Sequence, residues 1–65
     1  MAVYKVTEMV GTGDSYAHAT EEAIKRAVKK LRNVSWFEVK EMRGAVTDGK
    51  IEFQVKLQIG FKLDD

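Results

Sequence analysis

The chain has 65 residues, with no cysteine, a single histidine and a formal net charge of +1. This length fits one domain, residues 1–65. A chain this short normally buries too little apolar surface to be stable as an isolated subunit. The absence of cysteine excludes disulfides, and a single histidine, His18, argues against a zinc site. Self-association is therefore the expected source of additional stability. Positive and negative residues are interspersed, which predicts neither a nucleic acid nor an anionic membrane as partner.

The first residues, Met1 to Lys5, lack the apolar run of a signal peptide, and no segment approaches membrane-spanning length. A soluble cytoplasmic protein is therefore expected.

The first half of the chain predicts a strand followed by a helix. Val3–Val10 is rich in β-branched and aromatic residues, and Gly11–Asp14 has the composition of a loop. Asp14 or Ser15 is suited to cap the helix, and Asn33 to end it. Apolar or small residues recur at helical spacing at Tyr16, Ala19, Ala23, Ile24, Ala27, Val28 and Leu31.

The second half predicts an antiparallel hairpin. Val34–Thr47 and Lys50–Leu63 flank Asp48-Gly49, the strongest short hairpin signal. A strand, a helix and a hairpin then give an α+β fold of β-α-β-β order, whose three-stranded antiparallel sheet has strand order 1-3-2 and is joined by one right-handed crossover.

The third strand alternates apolar and polar residues throughout, but the second changes phase. Met42, Gly44 and Val46 match the core face when residue 47 pairs with residue 50, whereas Phe37 and Val39 are one residue out of step. One bulge near Lys40 or Glu41 would reconcile the two halves, because an extra residue moves every side chain beyond it to the opposite face. This bulge turns Trp36, Glu38 and Lys40 outward.

An outward Trp36 shares a polar sheet face with Gln54, Lys56 and Gln58. An exposed indole favours a partner chain or a flat ligand, and the amide of Gln54 suits bidentate pairing with a heterocycle edge. Stacking and pairing groups together are typical of nucleobase or flavin recognition. The alternative is ordinary packing for Trp36 and simple solvation for Gln54.

The chain resembles the dodecin family from Val3 to Leu63. The resemblance rests on these blocks, in order: Val3-Tyr4-Lys5, Glu22-Ala23-Ile24 with Ala27, Leu31 through Val39, Arg43-Gly44, Asp48-Gly49-Lys50, Phe53-Gln54-Val55, and Gly60-Phe61.

This resemblance implies a hollow homododecamer, with its sheets wrapped around the helices, that holds flavin pairs (riboflavin or FMN) between symmetry-related tryptophans. It gives Trp36 the stacking role and Gln54 the hydrogen-bonding role. It also implies flavin storage, buffering and photoprotection rather than catalysis. Arg43 and Glu41, opposite Gln54 and Lys56, would contact the ligand or form salt bridges between strands or subunits.

Two other functions compete with flavin binding. One is a structural homo-oligomer in which Trp36 only anchors an interface. The other is implied by the resemblance, because some dodecin relatives are associated with coenzyme A or other nucleotide-like ligands, although no residues of this sequence are assigned to such a site. An enzyme is not expected, because no catalytic triad, metal triad or cysteine nucleophile is recognisable. His18 is expected to face solvent or an interface.

Overall fold

The structure is a computed structural model, and it describes residues 1–64. Its elements are β1 (Tyr4–Gly13), α1 (Tyr16–Lys30), β2 (Val34–Thr47) and β3 (Lys50–Lys62). The sheet has the order β1-β3-β2, and both outer strands run antiparallel to β3. The predicted β-α-β-β topology and strand order are therefore confirmed. Among the described residues, no helix has the length and apolar character needed to cross a membrane.

The prediction of a loop from Gly11 was wrong, because β1 continues to Gly13. Gly11 pairs with Val55 and Gly13 with Phe53. The two glycines leave room for the adjacent helix and do not form a turn. A Cβ on Gly11 would lie 2.9 Å from Ala23 Cβ and would overlap the Ala19 carbonyl. The strand backbone thus approaches α1 more closely than any side chain would allow.

Helix α1 begins as the sequence predicts and ends differently. Ser15 is the N-cap, and its hydroxyl accepts a hydrogen bond of 3.0 Å from the His18 N–H. The C-cap is Leu31, whose N–H donates to the Ala27 carbonyl, so the assignment to Asn33 was wrong. Asn33 adopts a left-handed φ of 61° in the connection to β2.

The core lies between the alanine face of α1 and the centre of β3. It consists of Ala19, Ala23, Ala27, Val55, Leu57 and Ile59, all buried. Small side chains on the helix let its backbone lie against the curved sheet. Val28, which the helical spacing includes in the apolar set, is instead 60% exposed.

The hairpin confirms the predicted register. Thr47 pairs with Lys50, and both turn residues, Asp48 and Gly49, have positive φ, as the tight hairpin turn requires. The register shifts between Val39 and Glu41, which confirms the bulge at Lys40. A second shift, between Val34 and Trp36, was not predicted.

The helix leaves the β2 side of the sheet uncovered. Phe37 and Val39 pair with the core residues Ile59 and Leu57, as the bulge predicts, yet they remain 49% and 42% exposed. Phe37 and Val39 lie on the same helix-side face of the sheet as Ile59 and Leu57. Helix α1, however, packs mainly against β1 and β3. In the single subunit this edge of the core is therefore open.

Candidate functional site

Trp36 lies on the sheet face opposite the helix, as the bulge predicts. It pairs with Gly60 on β3, and its indole covers that glycine. A Cβ on Gly60 would overlap three indole atoms, Cδ2, Cε2 and Cζ2. One face of the indole thus lies flat on the β3 backbone, which only a glycine permits.

The indole is held from the side by Tyr4 but is not covered. The two ring centroids are 5.1 Å apart and the ring planes are tilted by 55°. This is a favourable arrangement for an aromatic pair. Trp36 remains 43% exposed in the subunit, so the ring is supported from beneath and beside while its outer surface is open.

Gln54 lies on the same face, within a chain of polar contacts. Arg43 is directly opposite it on β2, and Arg43 Nε donates a hydrogen bond of 2.6 Å to Gln54 Oε1. Gln54 Nε2 in turn donates to Glu52 Oε1 at 3.0 Å. Both ends of the amide therefore have charged partners within the subunit.

Glu41 extends this cluster. It lies opposite Lys56, and its Oε1 is 4.0 Å from Arg43 Nη1. A cavity of about 160 Å³ is lined by Val10, Glu41, Arg43, Gln54 and Lys56. A larger hollow of about 360 Å³ lies elsewhere, between β1 and α1, and contains neither Trp36 nor Gln54. Three of the four predicted site residues thus share one small cavity.

The fourth, Trp36, is at the other end of the face. Its partner Gly60 is six residues from Gln54 along β3. At about 3.3 Å per residue this separation is roughly 20 Å. The structure therefore does not bring Trp36 and Gln54 of one subunit together, and a ligand of flavin size would contact both only if they came from different copies of the chain.

Three contacting residues were missed from the sequence. Tyr4, Glu52 and Gly60 read as ordinary members of alternating strands, and their contacts depend on cross-strand neighbours. Only Gly60 carried a signal, as a glycine that interrupts an otherwise regular strand. His18 is exposed as expected, with Nδ1 2.9 Å from Asp14 Oδ1. Within residues 1–64, no three His, Cys, Asp or Glu residues cluster as metal ligands.

Comparison with known proteins gives a consistent result. The family model Dodecin matches residues 3–64. The chain is 45% identical over 65 residues to the dodecin of Thermus thermophilus, covering 97% of this chain and 94% of that protein. It is 37% identical over 65 residues to the calcium dodecin of Mycobacterium tuberculosis, covering 97% and 92% respectively.

The solved structures agree. A dodecin from Streptomyces davaonensis superposes with a TM-score of 0.92 at 42% identity, covering 98% of this chain and 97% of that one. Nearly full-length matches in both sequence and structure leave no part of β1 to β3 without a counterpart. This chain belongs to the dodecin family, a family of small oligomeric proteins that bind small molecules.

Proposed function

We propose that this protein binds flavin, either riboflavin or FMN, without turning it over, and that it serves as a cytoplasmic flavin store and buffer. The observation that carries this proposal is the presentation of Trp36. Its indole is fixed against Gly60 on one face and is 43% exposed. A flat, rigidly held aromatic surface on a polar sheet face suits stacking of a planar ligand.

The same proposal requires a closed homododecamer. Gly60, the cross-strand partner of Trp36, is six residues from Gln54 along β3, so stacking and edge pairing on one isoalloxazine come from different subunits. In this arrangement a flavin pair lies between two symmetry-related tryptophans. Gln54, Arg43 and Glu41 of neighbouring copies contact the ligand edges.

Stacking of this kind accounts for binding without catalysis. In a tryptophan–flavin–flavin–tryptophan stack each isoalloxazine has both faces covered, so no substrate reaches the ring. The electron-rich indole quenches the excited flavin by electron transfer, which limits photochemical damage. Storage and photoprotection are thus two consequences of one geometry.

The test is a fluorescence titration of riboflavin and FMN with the wild-type protein and with Trp36→Ala, run beside a light-scattering mass. We expect strong quenching by an assembly of about 89 kDa, the mass of twelve 7.4 kDa chains. Quenching should be lost or much weaker in the variant at unchanged mass. An intact assembly that leaves flavin fluorescence unchanged would instead support a structural oligomer with Trp36 as an interface anchor.

Trp36→Phe separates stacking from electron transfer. Phenylalanine keeps a flat ring but is a far poorer electron donor than indole. The Trp36→Phe variant should still retain flavin in ultrafiltration, with reduced affinity. The residual fluorescence and the photodegradation rate of the bound flavin should both rise. Equal photodegradation of flavin bound to the two proteins would contradict the photoprotective role.

A further inference from the structure

The amide of Gln54 is held by charged groups of opposite sign. Arg43 Nε donates to its oxygen at 2.6 Å, and its nitrogen donates to Glu52 Oε1 at 3.0 Å. Glu52 precedes Gln54 by two residues on β3, so both side chains project from the same face of the strand.

These two contacts define the orientation of the amide. A guanidinium only donates hydrogen bonds, and an ionised carboxylate only accepts them. Rotation of the amide by 180° would place N–H against N–H at Arg43 and oxygen against oxygen at Glu52. The flipped orientation therefore loses both hydrogen bonds and adds two repulsive contacts.

We infer that Glu52 is a positioning residue that fixes the Gln54 amide and thereby selects ligands with an imide edge, a ring N–H between two carbonyls. The inference rests on the proposed flavin site and deepens it. Glu52 itself does not contact the ligand. It acts by keeping the Gln54 oxygen and one N–H in a fixed order along the strand.

The remaining hydrogen-bonding capacity of Gln54 explains this selection. Its oxygen retains one lone pair after accepting from Arg43, and its nitrogen retains one hydrogen after donating to Glu52. This free pair matches an imide, whose N–H donates to the oxygen while either neighbouring carbonyl accepts from the nitrogen. A ring nitrogen that carries a methyl group has no proton to donate and clashes with the fixed oxygen.

The experiment compares lumiflavin with 3-methyllumiflavin, in which that N–H is methylated. Neither ligand has a ribityl chain or phosphate, so the ratio of their dissociation constants reports on the imide edge. We expect the wild type to prefer lumiflavin by about tenfold, the size of one well-placed hydrogen bond. In Glu52→Ala the amide is free to flip, and the ratio should fall to about threefold or less.

Two further variants make the result specific. Glu52→Gln retains a side-chain oxygen that accepts from Gln54, so it should restore most of the wild-type ratio. Glu38→Ala removes another carboxylate from the same sheet face and should leave the ratio unchanged. If alanine at position 52 lowers the assembly mass, Glu52→Val, which favours a strand, replaces it.

The outcomes are distinguishable from those of the flavin proposal. Failure of the wild type to bind lumiflavin, riboflavin and FMN alike would overturn flavin binding itself. Binding of riboflavin or FMN without binding of lumiflavin would overturn selection at the imide edge. Binding of lumiflavin with equal weakening of both ligands in Glu52→Ala would leave the flavin site intact and overturn the positioning role. A wild-type ratio near one would show that the Gln54 amide does not read the imide edge.

Discussion

Trp36 and Gly60 form the contact on which ligand presentation depends. The indole lies on backbone atoms of β3, where no side chain can change rotamer beneath it. Tyr4 restrains it from the side at 5.1 Å between ring centroids. A ring positioned in this way keeps its orientation before the ligand arrives, which reduces the entropy lost on binding.

Gly60→Ala tests this presentation. Its Cβ would overlap the indole, so the ring has to tilt or leave the strand. We expect riboflavin affinity in the quenching assay to fall about tenfold or more, at an assembly mass close to that of the wild type.

Gly44→Ala is the matched control. A Cβ there would meet its nearest atom, the Glu52 carbonyl oxygen, at 3.6 Å, an ordinary contact. Riboflavin affinity should be nearly unchanged in this variant. Equal affinities for the Gly60 and Gly44 variants would contradict the role given to the Trp36–Gly60 contact.

The outward position of Trp36 was predictable from the sequence, whereas the contacts that hold its indole ring in place were not. Hydrophobic phase alone placed the bulge near Lys40 or Glu41, where the structure has it, because a one-residue slip exchanges the two sheet faces. The pairing of Trp36 with Gly60 follows from the same bulge, but the stacking of the indole on that glycine depends on the conformation of the Trp36 side chain, which hydrophobic phase does not specify. Likewise, the partners of Gln54 follow from side-chain conformations, which alternation does not specify.

At the level of elements, the close approach of β1 to α1 is what completes the small core. Gly11 and Gly13 extend the strand beneath the helix, where Ala19, Ala23 and Ala27 face the sheet. Sequence reasoning assigned the glycines to a loop because Gly-rich segments usually are loops. The same residues serve a strand when a helix backbone lies directly above it.

Gly11→Ala should therefore destabilise the protein. Its Cβ would press against the Ala19 carbonyl and Ala23 Cβ, and overpacking of this kind costs about 1–3 kcal/mol. Urea unfolding followed by circular dichroism measures the loss, at matched chain concentration because assembly adds to stability. An unfolding midpoint equal to that of Gly44→Ala would contradict the close helix–strand packing.

At the level of the whole molecule, the subunit exposes an apolar strip that it cannot cover. The strip lies on the helix side of the hairpin and consists of Phe37, Val39, Met42, Val46 and Ile51, each between 42% and 74% exposed. Contiguous apolar surface of this kind marks an interface. In a family of oligomers, further copies of the chain are its natural cover.

Val46→Glu tests this assignment. Val46 is 74% exposed in the subunit, so a carboxylate there costs the monomer little, but burying it between subunits is strongly unfavourable. We expect light scattering to shift from about 89 kDa to a much smaller mass. Val46→Thr, similar in shape and uncharged, should assemble. A Val46→Glu protein of full mass would place this residue outside the interface.

The residue pattern could not predict the number of subunits, nor that the proposed site combines residues of different subunits. Composition and length predicted self-association, and only the resemblance to dodecins implied a dodecamer. The pattern also grouped Trp36 with Gln54, since both point outward. Counted along β3 from Gly60, the partner of Trp36, to Gln54, the separation is roughly 20 Å, which a shared outward direction does not reveal.

The most direct test of the flavin account is the stoichiometry of flavin quenching by the intact assembly. Each chain has one tryptophan, and each stack joins two tryptophans and two flavins, so saturation should occur at about one flavin per chain. The measurement is a tight-binding riboflavin titration of light-scattering-verified assembly. Saturation near one per chain, absent in Trp36→Ala, is the predicted result; an intact assembly that binds no flavin would contradict the account.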